Sequence, residues 1–284
     1  MGYVPWPAEH HLQVSFSTDA SSHRWAAFIN KEEVIGDFFE GDDTRPIHLK
    51  EGEALLKTLL SLDERLENHR VDVFVDNQAV VAAWEREGGR CSKLNDIMKS
   101  IFDVCQKLNI DLHLEYIPSK ENPADMGSRM LNLQDCKLSP GIWKIIENKF
   151  GPHTVDLMAL DSNVMTDSNG NPLKHFTPYC CPSLSRVNVF AQDLSVEKNP
   201  YVYPPFCLVS AVLYFLEEQK PKTCTFVFPE LSPLSPWWPK LWSYVKEYVV
   251  LIDIGDNAVI LAPTKNGFRP RKLGFKLFAA RLVF

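Results

Sequence analysis

The order of strand-like and helix-like segments in the first half of the chain limits the possible folds more than any other feature. Apolar residues alternate with polar ones over residues 12–16, and two more strand-like segments follow at short spacing, 25–29 and 34–39. This spacing predicts three consecutive antiparallel strands. Leucines at positions 55, 59, 62 and 66 then repeat at helical spacing, which predicts a helix over 49–66 that buries one face.

The second part of this pattern begins at residues 71–75, where Val-Asp-Val-Phe-Val is β-branched and mostly apolar, as in a central strand. Helices are predicted over 78–87 and 94–108, separated by Gly88-Gly89, and a fifth strand over 112–117 ends at Pro118. This is a mixed α/β order. We therefore predict a mixed five-stranded sheet with flanking helices over residues 11–131.

Beyond residue 131 the character of the chain changes. Prolines become frequent, and the strand-like pieces 223–228 and 249–254 alternate with a helical piece at 208–218. The chain has 284 residues, 45% of them hydrophobic, which is enough for two ordinary cores. A second α/β domain is therefore predicted over residues 132–284.

Composition narrows the setting in which the protein works. No apolar run approaches the roughly 18 residues that a membrane helix needs, and the first ten residues lack the basic and apolar regions of a signal peptide. The seven cysteines are scattered and form no C-x-x-C pair that could open a zinc or redox site. These features predict a reduced intracellular protein of the cytoplasm or nucleus, with no membrane partner.

Charge is distributed unevenly along the chain. Residues 1–131 contain 14 basic and 23 acidic residues, net −9, whereas residues 132–284 contain 16 and 13, net +3. The last stretch holds six cations and no acid after Asp256, a pattern that suits phosphate contacts or simply a solvated basic tail. The six cations are Lys265, Arg269, Arg271, Lys272, Lys276 and Arg281.

Four carboxylates of the first domain have the positions that a metal site requires. Asp19 and Asp76 each follow a predicted strand, and side chains at strand ends reach the edge of the sheet where such folds place ligands. Glu51 lies four and eight residues before leucines of the predicted helix, on the face that packs against the sheet. Asp125 follows the fifth strand. Glu53 instead pairs with Lys57 at i+4 and is predicted to lie on the surface.

Each of these acids also has an ordinary structural explanation when taken singly. An Asp after a strand often caps a turn or a helix, and a Glu in a first helical turn complements the helix dipole. Their joint occurrence in this order favours a metal site. Hydrolysis of a phosphodiester by two divalent cations needs separate carboxylates delivered by different elements, because Mg²⁺ prefers oxygen ligands.

Around these acids the chain resembles the ribonuclease H domains of retroelement polyproteins. The matching segments are Thr18-Asp19-Ala20-Ser21, the helix start at 49–54, Asp76-Asn77, and residues 116–129, whose Asn-x-x-Asp-x-x-Ser-Arg ending looks like the retroelement version. The resemblance implies that Asp19, Glu51, Asp76 and Asp125 hold two Mg²⁺ ions, with Mn²⁺ as an alternative, and cleave the RNA strand of an RNA–DNA hybrid. Asp19 would bridge both ions, with Asp125 completing one metal and Glu51 and Asp76 the other.

The pattern departs from cellular relatives at one point and excludes two other enzyme classes. Cellular members have a histidine in the loop before the last aspartate, where this chain has Ser119, Lys120 and Glu121, so slower turnover is expected. Integrases and transposases need the Glu as the last of their acids, whereas Glu51 is the second acid here. Proofreading exonucleases open with Asp-x-Glu, whereas Asp19 is followed by Ala20 and Ser21. Nucleic-acid contacts are predicted at Asn77, Lys120, Asn122, Arg129, Arg269, Arg271 and Lys272.

The second domain looks like the region that follows ribonuclease H in DIRS-type retrotransposon polyproteins, which in turn resembles phage adenine-N6 DNA methyltransferases of Rossmann-like fold. This resemblance is based on residues 138–143, 155–159, 190–193 and Tyr203-Pro204-Pro205-Phe206. The methyltransferase motif opens with Asp or Asn, and the Tyr203 phenol cannot make the same paired contact. The chain also has no Gly-rich loop for the cofactor, and Asp156 fits a turn residue better than a cofactor ligand.

These observations leave three functions open. The favoured hypothesis is a Mg²⁺-dependent ribonuclease H that acts on RNA–DNA hybrids, with a degenerate methyltransferase-like accessory domain. It would come from a DIRS-like retroelement, where a reverse transcriptase domain of the parent polyprotein is a candidate partner, or from a host gene derived from one. The second is a binding module that keeps both folds without chemistry. The third is an adenine methyltransferase, although S-adenosylmethionine is not expected as a cofactor. For Trp237, Trp238 and Phe206, core packing is the simplest role.

Overall fold

The computed structural model describes residues 12–41, 43–132, 134–183, 185–252 and 258–284. It divides into two compact units, the first formed by residues 1–130, 180–183 and 265–267 and the second by residues 131–179, 184–264 and 268–284. Residue 11, the predicted start of the first domain, and residues 253–254, the predicted end of a strand, lie outside the described residues.

The first unit contains a mixed five-stranded sheet with the order β3-β2-β1-β4-β5. β1, β2 and β3 are antiparallel neighbours, whereas β4 is parallel to β1 and β5 is parallel to β4. The predicted fold class of this half, a mixed five-stranded sheet with flanking helices, is confirmed. The strands are β1 (Leu12–Ala20), β2 (Arg24–Ile29), β3 (Glu33–Phe38), β4 (His69–Val75) and β5 (Asp111–Tyr116).

Four helices accompany this sheet: α1 (Ile47–Leu62), α2 (Gln78–Glu85), α3 (Ser92–Leu108) and α4 (Asp125–Ser128). The leucine spacing places Leu55, Leu59 and Leu62 of α1 in the core. α1 ends four residues earlier than predicted, because Asp63 adopts a positive φ of 22° that a continuing α-helix does not allow. A 3₁₀ turn, Asp63–Leu66, still buries Leu66.

The second unit is also α/β. Its strands are β6 (Lys137–Leu138), β7 (Val155–Asp156), β8 (Lys174–Thr177), β9 (Arg186–Val187), β10 (Pro200–Val202), β11 (Cys224–Glu230), β12 (Val245–Leu251), β13 (Ile260–Thr264), β14 (Gly267–Arg271) and β15 (Lys276–Leu282). Its helices are α5 (Pro140–Phe150), α6 (Val209–Gln219) and α7 (Trp238–Tyr244).

Seven of these strands form one sheet with the order β12-β15-β11-β10-β7-β8-β9, and β14-β13-β6 form a smaller one. Five neighbouring strands of the larger sheet are parallel to one another, in the order β11, β10, β7, β8 and β9. β15 runs antiparallel to both its neighbours, β11 and β12. The predicted second α/β arrangement is thus observed. Trp237 and Trp238 pack against one buried cluster and Phe206 against another, which agrees with a packing role.

None of the helices in the described ranges combines the length and the apolar content that a membrane span requires. The seven cysteines are free thiols.

Candidate metal centre

The sheet of the first unit brings Asp19 and Asp76 to the same edge. β1 and β4 are parallel, and Thr18 is paired with Val75 in their register. The next residues along the two strands are Asp19 and Asp76, so both carboxylates lie at the carboxyl ends of neighbouring parallel strands. α1 contributes Glu51 from its first turns.

Three of the four predicted ligands meet at this edge. Asp19, Glu51 and Asp76 each offer a carboxylate oxygen, and these oxygens lie within 4.8 Å of one another. Asp19 and Glu51 are only 4% and 3% exposed, while Asp76 is half-buried. Glu53 points elsewhere and pairs with Lys57 at 3.5 Å and with Arg45 at 2.5 Å, as its outward position predicts.

The crowding of acids changes their proton affinity. Burial raises the pKa of the Glu51 carboxyl to about 9, and the charges of Asp19 and Asp76 add to this, against the backbone N–H of Ala20 that donates to it. Burial likewise raises the pKa of Asp19 to about 6, although the hydrogen bond from Ser128 opposes the shift. The cluster therefore resists carrying its full negative charge without a cation.

The chemistry of this donor set fits a divalent cation. Glu51 Oε2 is buried and has no hydrogen-bond partner among the described residues, and a buried carboxylate oxygen left unpaired is unusual. All three donors are carboxylate oxygens, the ligands that Mg²⁺ and Mn²⁺ prefer. A cation would neutralise the repulsion and satisfy the unpaired oxygen.

Asp125, the fourth predicted ligand, is not part of the three-carboxylate cluster. Its carboxylate accepts from Arg129, whose Nε lies 2.8 Å and Nη2 2.5 Å from Oδ1. Its negative charge still contributes to the raised pKa of Asp19. The side chain of Arg129 is 68% exposed. The structure thus brings Asp125 near the cluster but gives it an arginine partner.

The segment around Asp125 is fastened to β1 by hydrogen bonds that the sequence analysis did not single out. Ser128 Oγ donates to Asp19 Oδ2, and Ser21 Oγ donates to the carbonyl oxygen of Ser128 at 2.7 Å. Ser128 is fully buried. These contacts orient the Asp19 carboxylate from the side of α4. A signal was available, since Ser128 lies three residues after Asp125, within the same motif.

Asn122 also holds this segment against β1 by hydrogen bonds, which corrects its predicted role in nucleic-acid binding. The side chain is 5% exposed. Its Nδ2 donates to the carbonyl oxygen of Thr18 at 2.9 Å, and its Oδ1 accepts from the backbone N–H of Ala124 at 3.0 Å. A side chain occupied in this way holds the loop against β1 and does not face a ligand.

The remaining nucleic-acid candidates lie at or near the surface. Asn77 caps α2 by accepting from the backbone N–H of Ala79 at 3.1 Å. Lys120 is exposed in a 3₁₀ turn, Ser119–Glu121, and Ser119 Oγ donates to Asp76 Oδ2. In the second unit, exposed positions are found for Arg269, Arg271 and Lys272.

Lys276 and Arg281 of the basic stretch make contacts within the fold. Lys276 Nζ lies 3.2 Å from a carboxylate oxygen of Glu230, and the Arg281 guanidinium packs over the ring of Phe150 and donates to its carbonyl oxygen. These two cations are therefore not wholly available to a nucleic acid.

Residues 203–206, which the sequence analysis compares with a methyltransferase motif, directly follow β10. The Tyr203 hydroxyl accepts from the Cys136 thiol at 3.5 Å, and its ring lies 6.3 Å from that of Phe206. Pro204 and Pro205 separate the two rings along the chain. Asp156 is buried and accepts from the backbone N–H groups of Met158 and Met165, at 3.3 Å and 3.4 Å. Asp156 thus serves the turn after β7.

Solved structures similar to part of this chain include ribonuclease H1 proteins and a viral protease-reverse transcriptase. A ribonuclease H1 isolated from compost by a metagenomic approach has 17% identity and a TM-score of 0.34, covering 41% of this chain and 91% of its own. The ribonuclease H1 of Halobacterium salinarum has 12% identity and a TM-score of 0.34, covering 40% and 92%. The protease-reverse transcriptase of prototype foamy virus has 14% identity and a TM-score of 0.30, covering 46% and 22%. No family model and no curated protein matches the sequence.

Proposed function

We propose that the first unit is a divalent-metal-dependent ribonuclease H that cleaves the RNA strand of RNA–DNA hybrids. The observation that carries this proposal is the meeting of Asp19, Glu51 and Asp76 at one sheet edge, with a buried Glu51 oxygen that lacks a partner. Cations held there would activate a water molecule and stabilise the leaving oxygen of a phosphodiester.

The residues of the chain divide this work among them. Asp19, Glu51 and Asp76 hold the cations, and Asp125 supplies further negative charge beside Asp19. Ser128 fixes the orientation of the Asp19 carboxylate by donating to Oδ2. The exposed guanidinium of Arg129 is available to a phosphate of the substrate while it pairs with Asp125.

Cleavage of a labelled RNA–DNA hybrid tests the proposal directly. The wild type is assayed with Mg²⁺ and Mn²⁺ beside Asp76→Asn, which keeps the size of the side chain and removes its charge. Glu53→Gln is the matched control, because that acid lies on the outer face of α1 and pairs with Lys57. We expect cleavage of the RNA strand by the wild type and by Glu53→Gln, and at least a 100-fold loss in Asp76→Asn.

The competing hypothesis is a binding module without chemistry. It predicts that the wild type binds the hybrid but releases no product in either metal. It also predicts no change in the melting temperature on adding Mn²⁺, whereas a formed site raises the melting temperature by linkage. Binding without cleavage and without a metal-dependent shift would replace the nuclease proposal by this one.

A retroelement origin, of the DIRS type, is part of the same proposal. The retroelement likeness rests on the Asn-x-x-Asp-x-x-Ser-Arg ending of residues 116–129. The DIRS type rests on the likeness of residues 138–143, 155–159, 190–193 and 203–206 to the region that follows ribonuclease H in such polyproteins. A reverse transcriptase is then the expected neighbour in the parent polyprotein. To test that cooperation, an added reverse transcriptase first copies an RNA template into DNA. This protein is then expected to degrade the RNA strand of the product and release the DNA.

For the second unit we propose a degenerate methyltransferase-like accessory domain that assists nucleic-acid binding. Its parallel strands and the position of Tyr203-Pro204-Pro205-Phe206 after β10 support the likeness. The hydroxyl of Tyr203 is engaged with Cys136, so this motif does not offer the amide or carboxylate oxygen that adenine methylation needs. Incubation of duplex DNA with S-adenosylmethionine is expected to transfer no methyl group.

A further inference from the structure

The turn that follows β5 is held against both strands that deliver the aspartates of the metal centre. The backbone N–H of Ile117 donates to the carbonyl oxygen of Val75 at 3.0 Å, directly before the aspartate that follows β4. At the other end of the turn, Asn122 Nδ2 donates to the carbonyl oxygen of Thr18 at 2.9 Å, directly before the aspartate of β1. The 3₁₀ turn Ser119–Glu121 between these two bonds is therefore held beside the carboxylates.

Two serines of this region each donate to one aspartate. Ser119 Oγ donates to Asp76 Oδ2, and Ser128 Oγ donates to Asp19 Oδ2. Ser119 is exposed on the turn, whereas Ser128 is fully buried. A hydroxyl held in a fixed place restricts the rotation of the carboxylate that accepts from it. Each aspartate is therefore oriented through one of its two oxygens.

The third carboxylate of the cluster shows the same division by different means. Glu51 accepts from the backbone N–H of Ala20, and its Oε2 is buried without a hydrogen-bond partner among the described residues. Each of the three carboxylates thus has one oxygen bonded to the fold, and a cation can take the other oxygen without breaking that bond. Binding of both oxygens of either aspartate to one cation would cost a hydrogen bond from a serine.

This division matters because divalent cations differ in how they use carboxylates. Mg²⁺ demands near-ideal octahedral geometry with ligands at about 2.0–2.1 Å, and Mn²⁺ is also found with six oxygen ligands. Ca²⁺ takes six to eight oxygens at about 2.3–2.6 Å in a flexible geometry, and it accepts both oxygens of one carboxylate. Carboxylates that are each held at one oxygen therefore suit Mg²⁺ and Mn²⁺ better than Ca²⁺.

We propose that Ser119 is a positioning residue of the metal centre and that, together with Ser128, it makes the centre select Mg²⁺ and Mn²⁺ against Ca²⁺. This inference rests on the proposed function in so far as Asp19, Glu51 and Asp76 hold cations, but it does not require that a hybrid is cleaved. Loss of a side chain that orients a metal ligand typically weakens metal binding about 10-fold to 100-fold. Because Ser119 is exposed, its own effect is expected below this range.

Competition between Mn²⁺ and Ca²⁺ for the full chain tests this selectivity without nucleic acid. Electron paramagnetic resonance of free Mn²⁺ gives the Kd of Mn²⁺, and displacement of bound Mn²⁺ by Ca²⁺ gives the Kd of Ca²⁺. We expect the wild type to bind Mn²⁺ more tightly than Ca²⁺. Ser119→Ala should lower this preference at least threefold, and Ser119→Ala combined with Ser128→Ala at least tenfold, because Mn²⁺ binding weakens and Ca²⁺ binding does not.

Two further variants separate positioning from a structural effect. Ser119→Thr keeps the hydroxyl and should retain the preference of the wild type. Ser100→Ala removes an exposed hydroxyl of α3, which donates to the carbonyl oxygen of Asp96 at 3.1 Å, and should also leave the preference unchanged. A general loss of structure would weaken the binding of both cations by the same factor, so the ratio of the two Kd values reports positioning alone.

The outcomes distinguish this inference from the nuclease proposal. An unchanged preference in Ser119→Ala, or equal weakening of the two cations, overturns the role of Ser119. A wild type that binds Ca²⁺ as tightly as Mn²⁺ overturns the selectivity. Absence of Mn²⁺ binding by the wild type overturns the metal centre and the nuclease together. The expected ratios in a protein that cleaves no hybrid support the role of Ser119 and reject the nuclease alone.

Discussion

Glu51 is held in the fold at an electrostatic cost, because its carboxyl is buried beside two other acids. Its pKa is raised to about 9, from an ordinary value of 4.5. Between these values the unfolded chain carries a charged Glu51 and the folded chain a neutral one, so metal-free stability falls as pH rises through this window. Glu51→Gln removes that loss. We therefore expect the stability of Glu51→Gln relative to the wild type to increase by about 4 kcal/mol from pH 5 to pH 8.

Urea denaturation in the presence of a chelator at the two pH values measures this difference. Glu53→Gln provides the control, since that carboxylate lies on the outer face of α1 beside Lys57 and Arg45. Adding Mn²⁺ at pH 8 should stabilise the wild type and leave Glu51→Gln almost unchanged. A pH-independent difference between Glu51→Gln and the wild type would contradict the burial argument.

Ser128 acts on the metal centre through Asp19. Its hydroxyl donates to Asp19 Oδ2 from a fully buried position, and loss of such an outer partner typically weakens metal binding 10-fold to 100-fold. Mn²⁺ is expected to raise the melting temperature of the protein. We expect the Mn²⁺ concentration that gives half of this increase to be about tenfold higher for Ser128→Ala than for the wild type. Ser21→Ala removes the bond to the Ser128 carbonyl oxygen and the bonds that Ser21 Oγ accepts from the backbone N–H groups of His23 and Arg24, but none to a carboxylate of the cluster. It should change this concentration less than threefold.

Single residues were predictable where the local sequence defines their place. Asp19 and Asp76 are found from the sequence because each ends a strand whose pattern is clear. Asn122 was predicted to contact nucleic acid, because its bond to Thr18, 104 residues away, is not visible in any local pattern. The arginine partner of Asp125 could be guessed from the i,i+4 spacing, but its effect on the site could not.

At the scale of elements, the one-turn helix α4 must approach the sheet closely, and Gly127 permits this. A Cβ atom at Gly127 would lie 2.9 Å from the Cβ of Ala26 and 3.0 Å from Cγ1 of Val34. We expect Gly127→Ala to cost about 1–3 kcal/mol of unfolding free energy, as overpacking does, and to lower hybrid cleavage by displacing Ser128. Equilibrium urea unfolding and the cleavage assay measure the two effects.

Gly141 offers the matched control for this substitution. It lies in α5, and a Cβ there meets nothing within 4 Å. Gly141→Ala should therefore raise stability by up to about 1 kcal/mol through helix propensity. If both alanine variants are equally stable, close packing does not explain the glycine at position 127.

Long periodic elements were predictable from sequence, and short ones were not. The leucines of α1 and the β-branched run of β4 form patterns that span several turns or a whole strand. β7 and β9 contain two residues each, which is too short for any period to be recognised. The order of the strands around β7 follows from contacts that are distant in sequence.

At the scale of the whole molecule, the net charge of −6 conceals a basic surface on the second unit. Arg271 and Lys272 are exposed at and after the end of β14. Each phosphate contact that a cation makes changes the slope of log K against log salt concentration by about 0.7–0.9. If these two residues contact the backbone of a nucleic acid, the double variant Arg271→Ala, Lys272→Ala should reduce the slope for hybrid binding by about 1.5.

Fluorescence anisotropy with a labelled hybrid, titrated between about 50 and 200 mM salt, gives the slope. Lys276→Ala is the appropriate control, because Lys276 already pairs with Glu230 at 3.2 Å and should leave the slope almost unchanged. The slope measured for the wild type gives the number of phosphates that the whole chain neutralises, including any that the first unit contacts. An unchanged slope in the double variant would mean that the nucleic acid is held without the basic strand end, and that the charge of the second unit serves solubility alone.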